Sequence, residues 1–308
     1  MLFVDRPDGK RIKDLNPFQQ VLPYVMPTRN GSAVYFSEDL DVEPALDLVK
    51  KLNDEANARK YHLFHVIIAA LVQVLLKKDH LNRFISGKAM YQRNYLSTSF
   101  IVKKKLTEDA RETDAKVYFQ NDDTLLTVQE KIDAAVAQAR SEELTPDEKE
   151  MYVLSRIPGA YRVATAIFKV LDRFNIAPPS MIRSDPLYTS IYVANLASIN
   201  LSTPYHHLYE WGNASIFFVM GRVERRKVLN EDGTEQERHF MNIKVTLDER
   251  ISEGLYFARA IDLFRRMLNT PEILLKTADQ WDVYHGRPTL KNGNGSPPSE
   301  DTTDQVVV

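Results

Sequence analysis

Two short stretches of this chain carry residues able to move a proton. The first is Asp248-Glu249-Arg250-Ile251-Ser252-Glu253-Gly254. Glu249 and Glu253 each offer a carboxylate. In a buried setting a carboxylate gains proton affinity and serves as a general acid or base; beside an arginine it becomes a structural ion pair. For Glu249 both readings stand. For Glu253 the ion pair is expected, with Arg250, Arg11 and Arg29 as candidate partners. The second stretch is His206-His207, in the loop after Asn195 and before Gly212. An imidazole titrates near neutrality, so this pair is a candidate base, or else a structural or interface element. His62 and His65 lie three apart on an apolar helix with no third ligand suggested nearby, so capping or core roles are expected and no metal site. Gly212-Asn213-Ala214-Ser215 reads as a turn, not a phosphate loop.

The elements that must position these groups follow from periodicity. The Asp248–Gly254 stretch follows a strand-like run, Phe240 to Leu247, and precedes an amphipathic helix, Leu255 to Asn269. Residues 1–31, with Pro7, Pro17, Pro23 and Pro27, read as an irregular arm. Ala33 to Asp41 alternates as a strand. Val42 to Ala58 and His62 to Lys78 are helices, the second apolar almost all round and so buried on several sides. Ala89–Asn94, Leu96–Val102 and Val117–Gln120 are strand-like; Leu126 to Ala139 is helical. Leu144 to Ile176 reads as helices broken at Pro158-Gly159. In its second half, Tyr161 to Phe174, the residues Val163, Ile167, Val170, Leu171 and Phe174 share one side; they can pack on the core or lie on a membrane, and core packing is the expectation. Ser190–Ala197 and Ala214–Val223 are strands, and Asn230-Glu231-Asp232-Gly233 is a hairpin tip. Strands and helices without strict βαβ alternation predict a mixed sheet with helices packed on it. The assignment is an arm at 1–31, one domain at 32–291, and a disordered polar tail at 292–308.

Composition narrows the function. With 308 residues, 44% of them hydrophobic, the chain can bury a sizeable core. Forty basic against 42 acidic residues give no field favouring nucleic acid. The absence of cysteine excludes disulfides, thiolate nucleophiles and Cys-based zinc sites. The start of the chain has no apolar signal core, and the longest apolar run, Leu63 to Leu76, is shorter than the ~20 residues of a spanning helix. A cytoplasmic protein without a membrane span is expected.

Four stretches carry a family resemblance. Asp248–Gly254 resembles the DHRxxDG signature of dihydrolipoyl acyltransferases, the catalytic cores of 2-oxoacid dehydrogenase complexes, and the HHxxxDG signature of chloramphenicol acetyltransferase. Asp248, Arg250 and Gly254 match the first form; Glu249 stands at the histidine and Glu253 at the aspartate. Ile191-Tyr192-Val193-Ala194-Asn195-Leu196-Ala197 is similar to the family's FTISNLG strand. His80-Leu81-Asn82-Arg83-Phe84-Ile85 resembles its P-x-L-N-x turn, and Tyr91-Gln92-Arg93-Asn94 leads into a matching strand. The resemblance implies a two-layer α/β (α+β) fold with a mixed sheet. It also implies a homotrimer with active sites in channels between subunits, and a coenzyme A thioester as co-substrate for a small-molecule acyl acceptor. No lipoyl module or swinging linker is recognisable, so no lipoyl attachment on this chain is expected.

The same resemblance implies altered chemistry. The family histidine deprotonates a thiol or hydroxyl, and a serine or threonine in the SNL segment steadies the oxyanion; the matching residue here is Ala194, beside Asn195. A thiol of pKa roughly 8.5 gives its proton to a histidine near 6.5 across about 2 units, and to a glutamate near 4.3 across about 4. That difference is ~3 kcal/mol against Glu249, part of which burial can recover. Loss of an oxyanion donor costs on the order of 10²–10³ in rate. Two readings follow: an acyltransferase with substituted catalytic positions, or a catalytically silent trimeric ligand-binding or scaffold protein. A relative of peptide-synthetase condensation domains is a third, but the length suffices for one lobe of two.

Overall fold

The computed structural model describes residues 5–55, 60–104, 112–141, 155–230, 232–284 and 287–291. The expected tail at 292–308 and the residues 142–154 lie outside them.

The arm is more ordered than its prolines suggest. Strand β1 (Gly9–Arg11) pairs antiparallel with a later strand, and helix α1 (Pro17–Val25) follows. The local signal for α1 is present: the Asn16 side chain accepts from Gln19 N at 2.8 Å and Pro17 occupies the first helical position. Burial of charge orders the rest. Arg6 and Asp8 are 4% and 0% exposed. Arg6 donates to Asp8 (2.9 Å), Ser86 (2.9 Å) and Asp172 (2.6 Å), and Asp8 accepts from Asn213 (2.6 Å). Arg93, also buried, donates to the Asn213 side chain and carbonyl, both at 3.0 Å.

Strand β2 (Ala33–Asp41) leads into helices α2 (Glu43–Glu55) and α3 (Leu63–Lys77). His62 caps α3: its backbone N–H donates to His65 Nδ1 (3.1 Å), and His65 Nε2 lies 3.2 Å from Asp133. Strands β3 (Arg83–Ser86) and β4 (Ala89–Arg93) form a hairpin that β1 extends to a three-stranded sheet. Strand β5 (Leu96–Lys103) pairs with β6 (Glu112–Phe119), which begins five residues before the sequence reading placed it. Then come α4 (Leu125–Arg140), α5 (Ala160–Arg173), α6 (Pro179–Ser184), β7 (Ile191–Asn195), β8 (Ile216–Leu229), β9 (Glu235–Asp248), α7 (Gly254–Asn269) and the hairpin of β10 (Trp281–Tyr284) and β11 (Arg287–Leu290). Strands β8 and β9 run 14 residues each and meet at a turn where Gly233 takes φ 83°, a backbone state a side chain would strain.

The main sheet has the order β2-β9-β8-β7-β5-β6. β7 runs parallel to both neighbours and every other pairing is antiparallel. Side-chain alternation then defines two faces. Val193, Phe218, Ile243 and Val245 point into the main core with α2, α3, α4 and α7. Tyr192, Ala194, Phe217 and Val219 point the other way, into a smaller cluster with Leu208 and Tyr209 from the loop 200–212. Helix α5 attaches beside it through Phe168 and Leu171, which pack with Trp211, Tyr188 and Ile182. The expectation that Val163, Ile167, Val170 and Phe174 pack on the core fails: all four are exposed. The attachment edge lies about 100° further round the helix.

Candidate functional site

The end of β9 is closed by an ion pair. Asp248 is fully buried and accepts from Arg250 Nε (2.8 Å) and Nη2 (2.6 Å), from Ser32 Oγ (3.0 Å) and from the Arg250 backbone N–H (3.2 Å). Arg250 Nη1 reaches back to the Met26 carbonyl (2.8 Å). Arg29 is also buried and donates to the Tyr209 carbonyl (2.5 Å) and the Gly212 carbonyl (3.0 Å); burial lowers its pKa. Gly212 is required in this approach: its φ is 72°, and a Cβ there would meet the Leu187 carbonyl oxygen at 2.3 Å.

These contacts overturn two expectations. Arg250 and Arg29 are committed elsewhere, and Glu253, at the N-cap of α7, is exposed with no ion pair among the described residues. Glu249, on a one-turn 3₁₀ helix, is exposed as well, not a carboxylate buried against an arginine. The physical reason is local: the tight turn after Asp248 folds Arg250 back onto the residue two before it, and that leaves both glutamates outside.

Glu249 and Ala194 lie at opposite ends of the sheet within one chain. The Asp248 N–H donates to the Ser215 carbonyl (2.9 Å), level with the start of β7 and β8. Ala194 and Asn195 end β7. Four residues of strand and two strand spacings separate them, on the order of 16 Å. Asn195 is half-buried and its Oδ1 has no hydrogen-bond partner.

The histidine pair lies on the outer face, nearer the Glu249 end. The His206 ring stacks on Phe217 at 3.8 Å between centroids and 7° between planes, and its carbonyl accepts from Thr246 Oγ1 (2.5 Å). His206 Nδ1 lies 2.7 Å from the His207 carbonyl, and His207 Nδ1 lies 2.9 Å from the Leu208 carbonyl. A carbonyl only accepts, so each Nδ1 donates, and the neutral His206 ring then keeps its lone pair on Nε2. Burial pushes the His206 pKa below the ordinary imidazole range, which keeps the ring neutral at neutral pH.

Beside Tyr209 opens a cavity of about 490 Å³, in the range of small-ligand sites. Tyr192, Tyr209, Trp211 and Phe168 supply aromatic wall, and Asp114 and Asp185 supply carboxylates. Trp211 Nε1 donates to Asp185 (2.6 Å), and the Tyr192 hydroxyl donates to Asp114. Asp114 keeps one solvent-accessible side while its other surroundings desolvate it, and this raises its carboxyl above the usual range. Burial likewise raises the phenols of Tyr192 and Tyr209. The sequence reading missed this cavity. The aromatic run from Tyr205 to Trp211 and the Tyr192 position were the signals available, but nothing local ties them to α5.

The same architecture occurs in solved acyltransferases. A probable dihydrolipoamide acetyltransferase from Listeria monocytogenes aligns with a TM-score of 0.56 at 11% identity, over 85% of this chain and 95% of that one. The dihydrolipoamide acetyltransferase of Azotobacter vinelandii gives 0.56 at 14%, over 86% and 95%. A chloramphenicol acetyltransferase gives 0.54 at 11%, over 87% and 100%. Neither a protein-family model nor a curated protein sequence matches the chain. The fold is that of the chloramphenicol acetyltransferase-like acyltransferases, as the four sequence stretches led us to expect. At these identities the likeness defines fold; chemistry must be argued from the site.

Proposed function

We propose that the chain transfers an acyl group from a coenzyme A thioester to a small acceptor, with His206 as the base in place of the family histidine. The observation that supports this is the His206 ring. Its Nδ1–H is engaged by a carbonyl, its plane is fixed on Phe217, and its Nε2 is left as acceptor. That is the state a general base needs before it takes a thiol or hydroxyl proton. Glu249 is the weaker candidate, because an exposed carboxylate lacks the burial that would raise its basicity. The cavity next to Tyr209 suits the acyl end of the thioester or the acceptor; at about 490 Å³ it leaves the nucleotide end outside.

A homotrimer belongs to this reading. Glu249 and the Ala194–Asn195 end of β7 are on the order of 16 Å apart in one chain, so a site using both ends takes them from two copies. One structure of this fold is the cubic core of the pyruvate dehydrogenase multienzyme complex, with a TM-score of 0.53. The alternative is a silent trimer that keeps the cavity for a ligand, favoured by the lack of a hydroxyl at Ala194.

Thiol release from acyl-CoA donors of several chain lengths, with dihydrolipoamide or a small alcohol as acceptor, tests the proposal. Turnover lost in His206→Ala and retained in Glu249→Gln supports it. Turnover lost in Glu249→Gln and retained in His206→Ala moves the base to the glutamate. Absence of turnover with every donor favours the silent reading.

A further inference from the structure

Helix α5 is held along one edge. Phe168 and Leu171 pack on Trp211, Tyr188 and Ile182, and Asp172 reaches Arg6 at 2.6 Å. Elsewhere on its surface, Val163, Ile167, Val170 and Phe174 follow at spacings of four, three and four, which puts them in one stripe about 60° wide. They are 58%, 55%, 53% and 40% exposed. Arg162, Lys169 and Arg173 form a second exposed row about 110° round the helix from the centre of that stripe, on the side away from Leu171, with Lys169 Nζ 6.0 Å from the Trp211 ring centroid. None of the three has an ion-pair partner among the described residues, and the helix's single acid, Asp172, faces Arg6.

We propose that α5 lays this stripe onto an anionic lipid bilayer, with Arg162, Lys169 and Arg173 at the level of the phosphates. An apolar stripe flanked by cations on a helix of modest overall hydrophobicity is the pattern that seats a helix in the interfacial plane. The charges argue for lipid over a second copy of the chain. Pairing stripe to stripe would bring two cationic rows around one seam, with no acid on either helix turned toward it. Nothing here requires a span: no described helix is long and apolar enough to cross a membrane. The packed edge of α5, through Ala164, Thr165 and Phe168, walls the 490 Å³ cavity. A bilayer on the outer edge therefore lies about one helix diameter, ~10 Å, from that cavity. This inference stands on the helix surface alone and does not depend on which residue is the base.

Co-sedimentation of the full chain with vesicles tests it, using phosphatidylcholine alone and phosphatidylcholine mixed with phosphatidylserine. Binding to the mixed vesicles, weakened by salt, is expected. Ile167→Glu with Val170→Glu should abolish it. Lys169→Gln with Arg173→Gln should weaken it on the order of thirtyfold. All these positions are exposed, so unchanged thermal melts will show that the variants fold. Wild-type protein that stays in the supernatant with both vesicle types overturns the proposal. So does an Ile167→Glu, Val170→Glu variant that still binds vesicles but changes oligomeric state by light scattering, which would assign the stripe to a second copy.

Discussion

Arg250 and Asp248, two residues apart, close on each other as a two-pronged ion pair with 4% and 0% of their side chains exposed. Together with Ser32 and the Met26 carbonyl they fasten the N-terminal segment to the end of β9. The matched D and R of the signature therefore do architectural work. Arg250→Ala leaves Asp248 buried and unpaired, a loss on the order of 3–5 kcal/mol. Urea denaturation should show it as a lower midpoint at constant slope. A loss below about 1 kcal/mol would mean that water replaces the guanidinium.

Glu253 makes the contrasting case. At the N-cap of α7 it is exposed, and the arginine nearest in sequence points to Asp248. Glu253→Ala should change stability by no more than about 0.5 kcal/mol. A large loss in dilute monomeric protein would contradict the placement of this residue.

Asp8 is the charge that holds the arm. It is fully buried, it receives Arg6 and Asn213, and Asn213 in turn receives Arg93. Asp8→Ala removes the fully buried partner of Arg6, which keeps Asp172 at 2.6 Å, and leaves the Asn213 amide without its acceptor. The loss should be on the order of 3 kcal/mol, the lower end for a broken buried pair. Proteolysis should then cut the first thirty residues ahead of the rest. An arm that stays resistant would show that β1 and α1 dock without the network.

This network also marks where sequence reading stops. β2 was legible residue for residue, because Val34 and Phe36 alternate with Tyr35 and Ser37 and the alternation ends at Asp41. α3 was legible because it is apolar on every side. The arm was not, since its order comes from Arg6 meeting Asp172, 166 residues away, and no local period reports such a contact. The site was legible by motif and not by pairing. The order Asp248, Arg250, Glu253 allows either carboxylate to take the guanidinium, and only the 3₁₀ turn decides. The α5 stripe was legible as a stripe, but periodicity does not say which of two faces meets the core.

Acid should destabilise the fold in part through His65. The residue is 2% exposed, and burial holds its pKa below the ordinary value, with His62 acting in the same direction and Asp133 against it. Above about 6.5 the ring is neutral in both states. As pH falls below that value the unfolded chain takes up the proton before the folded one, so stability is lost progressively. His80 and His206 shift the same way. The urea midpoint should fall between pH 7 and pH 5. His65→Gln, which keeps an acceptor and a donor, should flatten that fall. An unchanged slope in the variant would assign the acid sensitivity to other groups.

Ala194 tests whether an acyl carbonyl ever sits over β7. The residue is half-buried on the outer face, one position before the end of the strand, and it offers no donor. Ala194→Ser adds one hydroxyl at small cost in volume. If the oxyanion forms there, a restored donor is worth on the order of 10²–10³ in rate, and thiol release should rise accordingly. The gain should vanish on adding His206→Ala. It should also grow with pH as the His206 ring sheds its proton, with an inflection below the ordinary imidazole value, since burial favours the neutral ring. A folded Ala194→Ser protein with no gain would remove β7 from the proposed site. The chemistry would then fall to the cavity wall, where Tyr192 and Asp114 already share a proton-bearing contact.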